Sequence, residues 1–133
     1  MAIDYGTKRT GLAVTDPLQI IATALTTVPT ADALTFISDY AVKEKVEAFV
    51  IGIPRHLNNT DADIVPLIEK FITSLENKIP GAVVHRVDER FTSKMATQSL
   101  IESAQSRKTR QDKSVIDKIS ATLILQWWME QKR

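Results

Sequence analysis

Apolar and β-branched residues cluster into three short runs at the beginning of the chain. These runs cover residues 1–4, 11–16 and 20–28, and a glycine-containing turn separates the first two. Each run has the length and composition of a β-strand. We expect the three runs to form an antiparallel meander.

Two further apolar runs follow, and each lies between segments of helical periodicity. Residues 48–54 are continuously apolar until Pro54, and residues 82–88 form a second, mainly apolar run. An uninterrupted apolar run of this length is typical of a strand buried on both faces. The pattern therefore predicts two interior strands.

Two helices are predicted before and between these interior strands. Asp32 is the predicted cap of the first helix, which ends near Glu44. The second is capped by Asp61 or Asp63 and stops at Pro80. Its apolar residues follow the i, i+3, i+4, i+7 spacing of an amphipathic helix: Ile64, Leu67, Ile68, Phe71, Ile72, Leu75 and Ile79.

Two more helices are predicted in the last third of the chain. One starts at Thr92 and the other covers about residues 114–131, with a polar, basic loop at 105–113 before it. The predicted order is β-β-β-α-β-α-β-α-α. Strands separated by helices pair in parallel through right-handed crossovers. We expect an α/β fold in one domain, residues 1–133, with a five-stranded mixed sheet and helices on both faces.

Composition excludes some classes of function and leaves others open. The 133 residues carry a net charge of +1, so charge alone implies no partner. The absence of cysteine excludes disulfides and thiolate metal sites, and fits a cytoplasmic location. The chain has neither the pattern of a signal peptide nor an apolar run of about 18 residues, so we expect no membrane span.

Three carboxylates occupy settings that can converge on one point. Asp4 follows the first apolar run, and Glu89 closes the run that ends the predicted sheet. Functional sites of open α/β sheets lie at the carboxyl ends of strands, where both residues are expected. Asp117 enters from the last helix, and its neighbours at i+3 and i+4, Ser120 and Ala121, are small enough for that helix to approach the sheet.

Such a cluster of carboxylates repels itself unless cations compensate the charge. Two divalent ions about 4 Å apart would relieve the repulsion and activate a water for phosphodiester cleavage. Oxygen ligands favour Mg²⁺ or Mn²⁺ over zinc. The alternative is that each acid acts alone: Asp4 as a cap or surface residue, Glu89 as the partner of a cation, and Asp117 as a first-turn acid that favours the helix dipole.

Four motifs, in order and over nearly the whole chain, resemble those of the YqgF family. They are Asp4-x-Gly6-Thr7-Lys8-Arg9-x-Gly11 with Val14-x-Asp16-Pro17, Gly52-Ile53-Pro54, Val87-Asp88-Glu89-Arg90-Phe91-Thr92, and Asp117-Lys118-Ile119-Ser120-Ala121-x-Leu123-Ile124-Leu125-Gln126. The resemblance implies an RNase H-like fold related to the RuvC resolvases. It also implies that Asp4, Glu89 and Asp117 are metal-binding catalytic acids.

The family is described both as nucleases that mature the 5′ end of pre-16S rRNA and as Holliday junction resolvases. We therefore expect a metal-dependent nuclease that uses Mg²⁺ or Mn²⁺, with precursor RNA as substrate and precursor ribosomal particles among its partners. The alternative substrate is a four-way DNA junction, which would require a homodimer rather than a monomer. A lesser alternative is a non-catalytic RNA-binding module. An ATP-binding role is disfavoured because it needs two domains.

The remaining candidates are residues that would contact nucleic acid. Gly6 and Gly11 are expected to shape a tight turn through which the backbone can approach a phosphate, the alternative being an ordinary hairpin turn. Trp127 and Trp128 are interpreted as packing residues. Seven cationic residues and one hydroxyl are predicted to bind phosphates, the alternative being solvated charges and, for the hydroxyl, a helix cap: Lys8, Arg9, Arg55, Thr92, Arg107, Lys108, Arg110 and Lys113.

Overall fold

The computed structural model describes residues 1–18, 20–54, 59–89 and 113–132, without the side chains of residues 59–62, 113–118 and 132. Its five strands form one sheet in the spatial order β3-β2-β1-β4-β5. These strands are β1 (Ala2–Asp4), β2 (Arg9–Thr15), β3 (Ala22–Pro29), β4 (Ala48–Ile53) and β5 (Val83–Asp88). The short first strand therefore lies at the centre of the sheet.

Strand pairing follows the predicted pattern. β1, β2 and β3 form the antiparallel meander. β4 pairs in parallel with both β1 and β5. The prediction of a five-stranded mixed α/β sheet is confirmed.

Three helices cover the sheet within the described residues. They are α1 (Thr30–Glu44), α2 (Asn59–Lys78) and α3 (Lys113–Lys132). In the part of the chain that the structure describes, none of them is long and apolar enough to cross a membrane. The helix predicted to start at Thr92 lies outside the described residues.

The predicted caps of the first two helices are wrong. α1 begins at Thr30, immediately after β3, and its N-cap position is Pro29, so Asp32 lies in the first turn instead. An acid in that turn still favours the helix dipole. α2 begins at Asn59, ahead of both predicted caps.

The third strand begins later than predicted because Asp16 binds the backbone that precedes it. Its Oδ1 accepts hydrogen bonds from the N–H groups of Ile20 and Ile21, both at 2.8 Å, and its Oδ2 accepts one from Leu18 at 3.1 Å. These bonds, that of Ile21 foremost, lower the pKa of Asp16. Residues 20 and 21 thus precede β3, which begins at Ala22.

Each face of the sheet has its own apolar cluster. The face covered by α1 and α2, the α1–α2 face, includes Ile3, Leu12, Phe49 and Ile51 of the sheet. On the opposite face, the α3 face, the strands contribute Ala2, Ala13, Val50 and Val87, and the helix contributes Ala121, Ile124, Leu125 and Met129. Helices on both faces were predicted, and this arrangement confirms it.

Candidate active site

Asp4 and Glu89 lie at the same edge of the sheet, on either side of β4. Ile3 of β1 is opposite Ile51 of β4, and Gly52 of β4 is opposite Val87 of β5. One residue further along β1, Asp4 is level with Gly52. Glu89 directly follows the end of β5. The two predicted acids therefore flank the carboxyl end of β4.

Alternation along the strands places both acids on the α3 face. Ala2 and Val87 pack in the cluster of that face, and side chains two residues apart in a strand share a face. Positions 4 and 89 therefore follow Ala2 and Val87 on the same side of the sheet.

The side chain of Glu89 occupies the space above Gly52. A Cβ atom at position 52 would lie 2.5 Å from Oε1 and 2.8 Å from Cγ of Glu89, and 2.8 Å from Cδ1 of Ile124. Atoms do not approach so closely, so only a glycine leaves room for this carboxylate. Gly52 thus lets the Glu89 side chain lie across β4, toward the strand that ends with Asp4.

Helix α3 runs antiparallel to β5, so its N-terminal part lies at the edge that carries the two acids. The ring centroids of Trp128 and His85 are 5.2 Å apart. One helical turn earlier, Cδ1 of Ile124 lies 2.8 Å from where a Cβ atom of residue 52 would be. His85 precedes Val87, the partner of Gly52, by two residues. Four helical residues rise about 6 Å, which matches the length of two strand residues.

The same direction places position 117 beyond the ends of the strands. Asp117 precedes Ile124 by seven residues, which is about 10 Å along the helix axis. Its backbone thus lies in the helical segment nearest the edge formed by Asp4 and Glu89. Among the side chains that the structure describes, no three of the His, Cys, Asp or Glu type could hold an ion together, and Asp117 is outside that set.

The turn between β1 and β2 is narrow, and Gly6 makes it possible. A Cβ atom at position 6 would overlap the carbonyl oxygen of Arg9, so the prediction of a tight turn at Gly6 agrees with the structure. Gly11 is not part of this turn, which corrects the prediction for that residue. It is the third residue of β2, buried and opposite Asp4, because the strand already begins at Arg9.

The predicted phosphate-binding residues divide into two groups. Lys8 is exposed in the turn, and Arg9 begins β2 with a partly buried side chain. Lys113 is the first residue of α3, where the structure describes the backbone alone. The other five lie outside the described residues: Arg55, Thr92, Arg107, Lys108 and Arg110.

The sequence prediction missed two residues that shape this edge, and it was right about two others. In the sequence Gly52 carries one usable signal, because a glycine inside an apolar strand often marks a close approach of another group. Thr30 has no such signal in the sequence, and its hydroxyl contacts the β1–β2 turn.

Trp127 and Trp128 pack against the cluster of the α3 face, which confirms their interpretation as packing residues.

Comparison with known proteins agrees with this arrangement. Residues 1–131 match the model of a protein family described as "RuvX: Holliday junction resolvase". A protein of Flavobacterium johnsoniae is 51% identical over 133 residues, which are 100% of this chain and 96% of the relative. A protein of Bacteroides thetaiotaomicron is 50% identical over the same shares of the two chains. Both relatives carry the name "Putative pre-16S rRNA nuclease".

A solved structure of a resolvase shares the fold. It is the Fowlpox virus resolvase in complex with Holliday junction DNA, with a TM-score of 0.51 and 11% identity. The similarity covers 98% of this chain and 95% of that chain. At this level of identity, the likeness concerns the fold alone.

Proposed function

Because the chain belongs to the RuvX family, which is the YqgF family of the sequence resemblance, we propose that it is a nuclease that matures the 5′ end of pre-16S rRNA. Relatives that are 50–51% identical over 96% of their length are named as pre-16S rRNA nucleases. The observation that carries the proposal is the pair Asp4 and Glu89 at one edge of the sheet, with Gly52 leaving space for a carboxylate between their strands.

The donor set of this edge fits a divalent cation. Asp4 and Glu89 offer carboxylate oxygens on one face of the sheet, and α3 brings Asp117 toward the same edge. Oxygen-only donors suit Mg²⁺ or Mn²⁺. When two such ions are bound, they supply an activated water and stabilise the leaving oxygen. We propose that Asp4, Glu89 and Asp117 would hold them.

The rest of the chain would bind and orient the substrate. Lys8, exposed two residues after Gly6, is placed to contact a phosphate next to the scissile one. The basic segment 107–113 precedes Asp117 in sequence and would add phosphate contacts from the other side. Hydrolysis would leave a 5′-phosphate and a 3′-hydroxyl.

We propose that residues 1–133 act as one domain in the cytoplasm, where precursor ribosomal particles are the partners.

The second candidate function is the resolution of four-way DNA junctions. It is favoured by the description of the family. A resolvase must make two symmetric nicks, so this function requires a dimer on the junction. The same acids would act in either case, because RNA and DNA present the same phosphodiester.

Two labelled substrates tested in parallel decide between the candidates. The protein is incubated with Mg²⁺ or Mn²⁺ and either a 5′ precursor fragment of 16S rRNA or a four-way DNA junction. We expect cleavage of the RNA, lost in Asp4→Asn and kept in Asp39→Asn, a matched change of an exposed acid on α1. Symmetric nicking of the junction alone would favour the resolvase. Full RNA cleavage by Asp4→Asn would refute the assigned site.

A further inference from the structure

Thr30, the first residue of α1, holds the β1–β2 turn at two points. Its hydroxyl donates a hydrogen bond to the carbonyl oxygen of Gly6 at 2.5 Å. Its backbone N–H donates to the carbonyl oxygen of Lys8 at 3.0 Å. Two carbonyl groups of a four-residue connection are therefore directed at one residue that lies far from the turn in sequence.

Thr10 extends this contact into the core. Its Oγ1 lies 2.9 Å from Oγ1 of Thr30, and its side chain is fully buried. The single hydroxyl hydrogen of Thr30 goes to the Gly6 oxygen, which can only accept. Thr10 must therefore donate to Thr30, and the hydrogen bonds run in one direction, from Thr10 to Thr30 to Gly6.

The direction of these bonds fixes the peptide plane between Gly6 and Thr7. Thr10 lies two residues before Leu12 in β2 and so shares the α1–α2 face with it. The carbonyl of Gly6 is thus drawn toward that face. In a trans peptide the N–H points opposite to the C=O, so the N–H of Thr7 points toward the α3 face. That is the face on which Asp4 and Glu89 lie.

We propose that Thr30 is a positioning residue that aims the backbone N–H of Thr7 at a phosphate oxygen of the nucleic acid strand lying against Asp4 and Glu89. This inference rests on the proposed function and names a contact within it. Thr30 itself does not touch the substrate. It acts through the Gly6–Thr7 peptide, whose rotation the hydrogen bonds to Thr30 prevent.

Removal of the Thr30 hydroxyl without a change of side-chain shape tests the proposal. Thr30→Val keeps the shape and the backbone bond to Lys8 but frees the Gly6 carbonyl. Thr30→Ser restores the hydroxyl. Thr35→Val makes the same change at an exposed position of the same helix and serves as the matched control. For each variant, the Kd for the precursor RNA is measured by fluorescence anisotropy in EDTA, together with KM, kcat and Tm.

We expect the loss of the Thr30 hydroxyl to weaken RNA binding and to leave the turnover rate unchanged. Thr30→Val should raise Kd and KM about tenfold, the factor that corresponds to one hydrogen bond to a charged group, with kcat unchanged. Thr30→Ser should lie within about twofold of the wild type by the same reasoning, and Thr35→Val should match it. A wild-type Kd and KM in Thr30→Val would overturn the inference. So would a fall in kcat at constant KM, since that indicates only fewer folded molecules.

The same measurements on the wild-type protein test the proposed nuclease function independently of the role of Thr30. A wild-type protein that binds the RNA but does not cleave it refutes the proposed nuclease, while the comparison of Kd values still decides the role of Thr30. A wild-type protein that binds neither the RNA nor the junction overturns both.

Discussion

Replacement of Gly52 with alanine should displace the carboxylate of Glu89 and slow cleavage, with the fold retained. The new Cβ would lie 2.5 Å from Oε1 of Glu89, and ordinary van der Waals contact begins at 3.4 Å. That oxygen must therefore move by about 0.9 Å. Cδ1 of Ile124, at 2.8 Å, must move by about 0.6 Å. Cγ of Glu89, also at 2.8 Å, must move by a similar distance. All three atoms belong to side chains, so the strain can be relieved by rotation of Glu89 and Ile124 without a shift of the backbone.

The expected magnitudes follow from these shifts. Overpacking of a well-filled region costs about 1–3 kcal/mol of unfolding free energy. A misplacement of about 1 Å at a catalytic group can lower the rate about 100-fold. We therefore expect Gly52→Ala to remain folded, with a modestly lower Tm, and to cleave about 100-fold more slowly than the wild type.

Gly81 offers a control with a similar loss of stability and no effect on the site. Its φ is +86°, a conformation that costs other residues about 1–2 kcal/mol, and no atom lies within 4 Å of an added Cβ. Initial cleavage rates and Tm are measured for both variants. Gly81→Ala should be destabilised but fully active per folded molecule. A wild-type rate in Gly52→Ala, or an equal loss in both variants, would refute the reasoning.

Three further changes test the remaining contacts. Thr10→Val should lower the unfolding free energy by about 1 kcal/mol, measured by urea denaturation, because Thr30 loses a buried donor; an unchanged midpoint would contradict this. Glu69→Gln should change it by less than about 1 kcal/mol, and less in high salt, because the bidentate pair with Arg86 is exposed. Asp16→Ala should lower Tm at neutral pH, and the difference from the wild type should vanish in acid. The folded-state pKa of Asp16 is depressed, so its stabilisation is present above the ordinary carboxyl pKa and is lost as pH falls through the folded value; a pH-independent difference would exclude this explanation.

The sequence predicted those elements whose signal is local. The continuous apolar run that became β4 needed only its own composition, since both faces of that strand are covered. The run at 82–88 also became a strand, β5, but the prediction of an interior strand there is wrong, because β5 is at the edge of the sheet and its Val83 and Arg86 are exposed. The placement of Asp4 and Glu89 followed from the rule that parallel strands present their carboxyl ends at one edge. The starts of α1 and β3 were misplaced for two different reasons. α1 continues directly from β3, and Asp16 binds the amides of Ile20 and Ile21.

The features that the sequence could not supply depend on contacts between distant segments. Gly52 must be small only because Glu89 and Ile124 pack above it, and they follow it by 37 and 72 residues. The contact between Thr30 and Gly6 spans 24 residues. Neither relation leaves a periodic or compositional signal, because it arises from strand register and helix placement.

The cleavage rate of Asp117→Asn tests most directly whether Asp4, Glu89 and Asp117 form one site. Asp117 belongs to a different element than the two strand-end acids, so its inclusion depends on the direction of α3. Residues that act as a unit lose activity together. We expect Asp117→Asn to be as inactive on the precursor RNA as Asp4→Asn, and the double variant to be no worse than either. Near-wild-type cleavage by a folded Asp117→Asn would contradict the account.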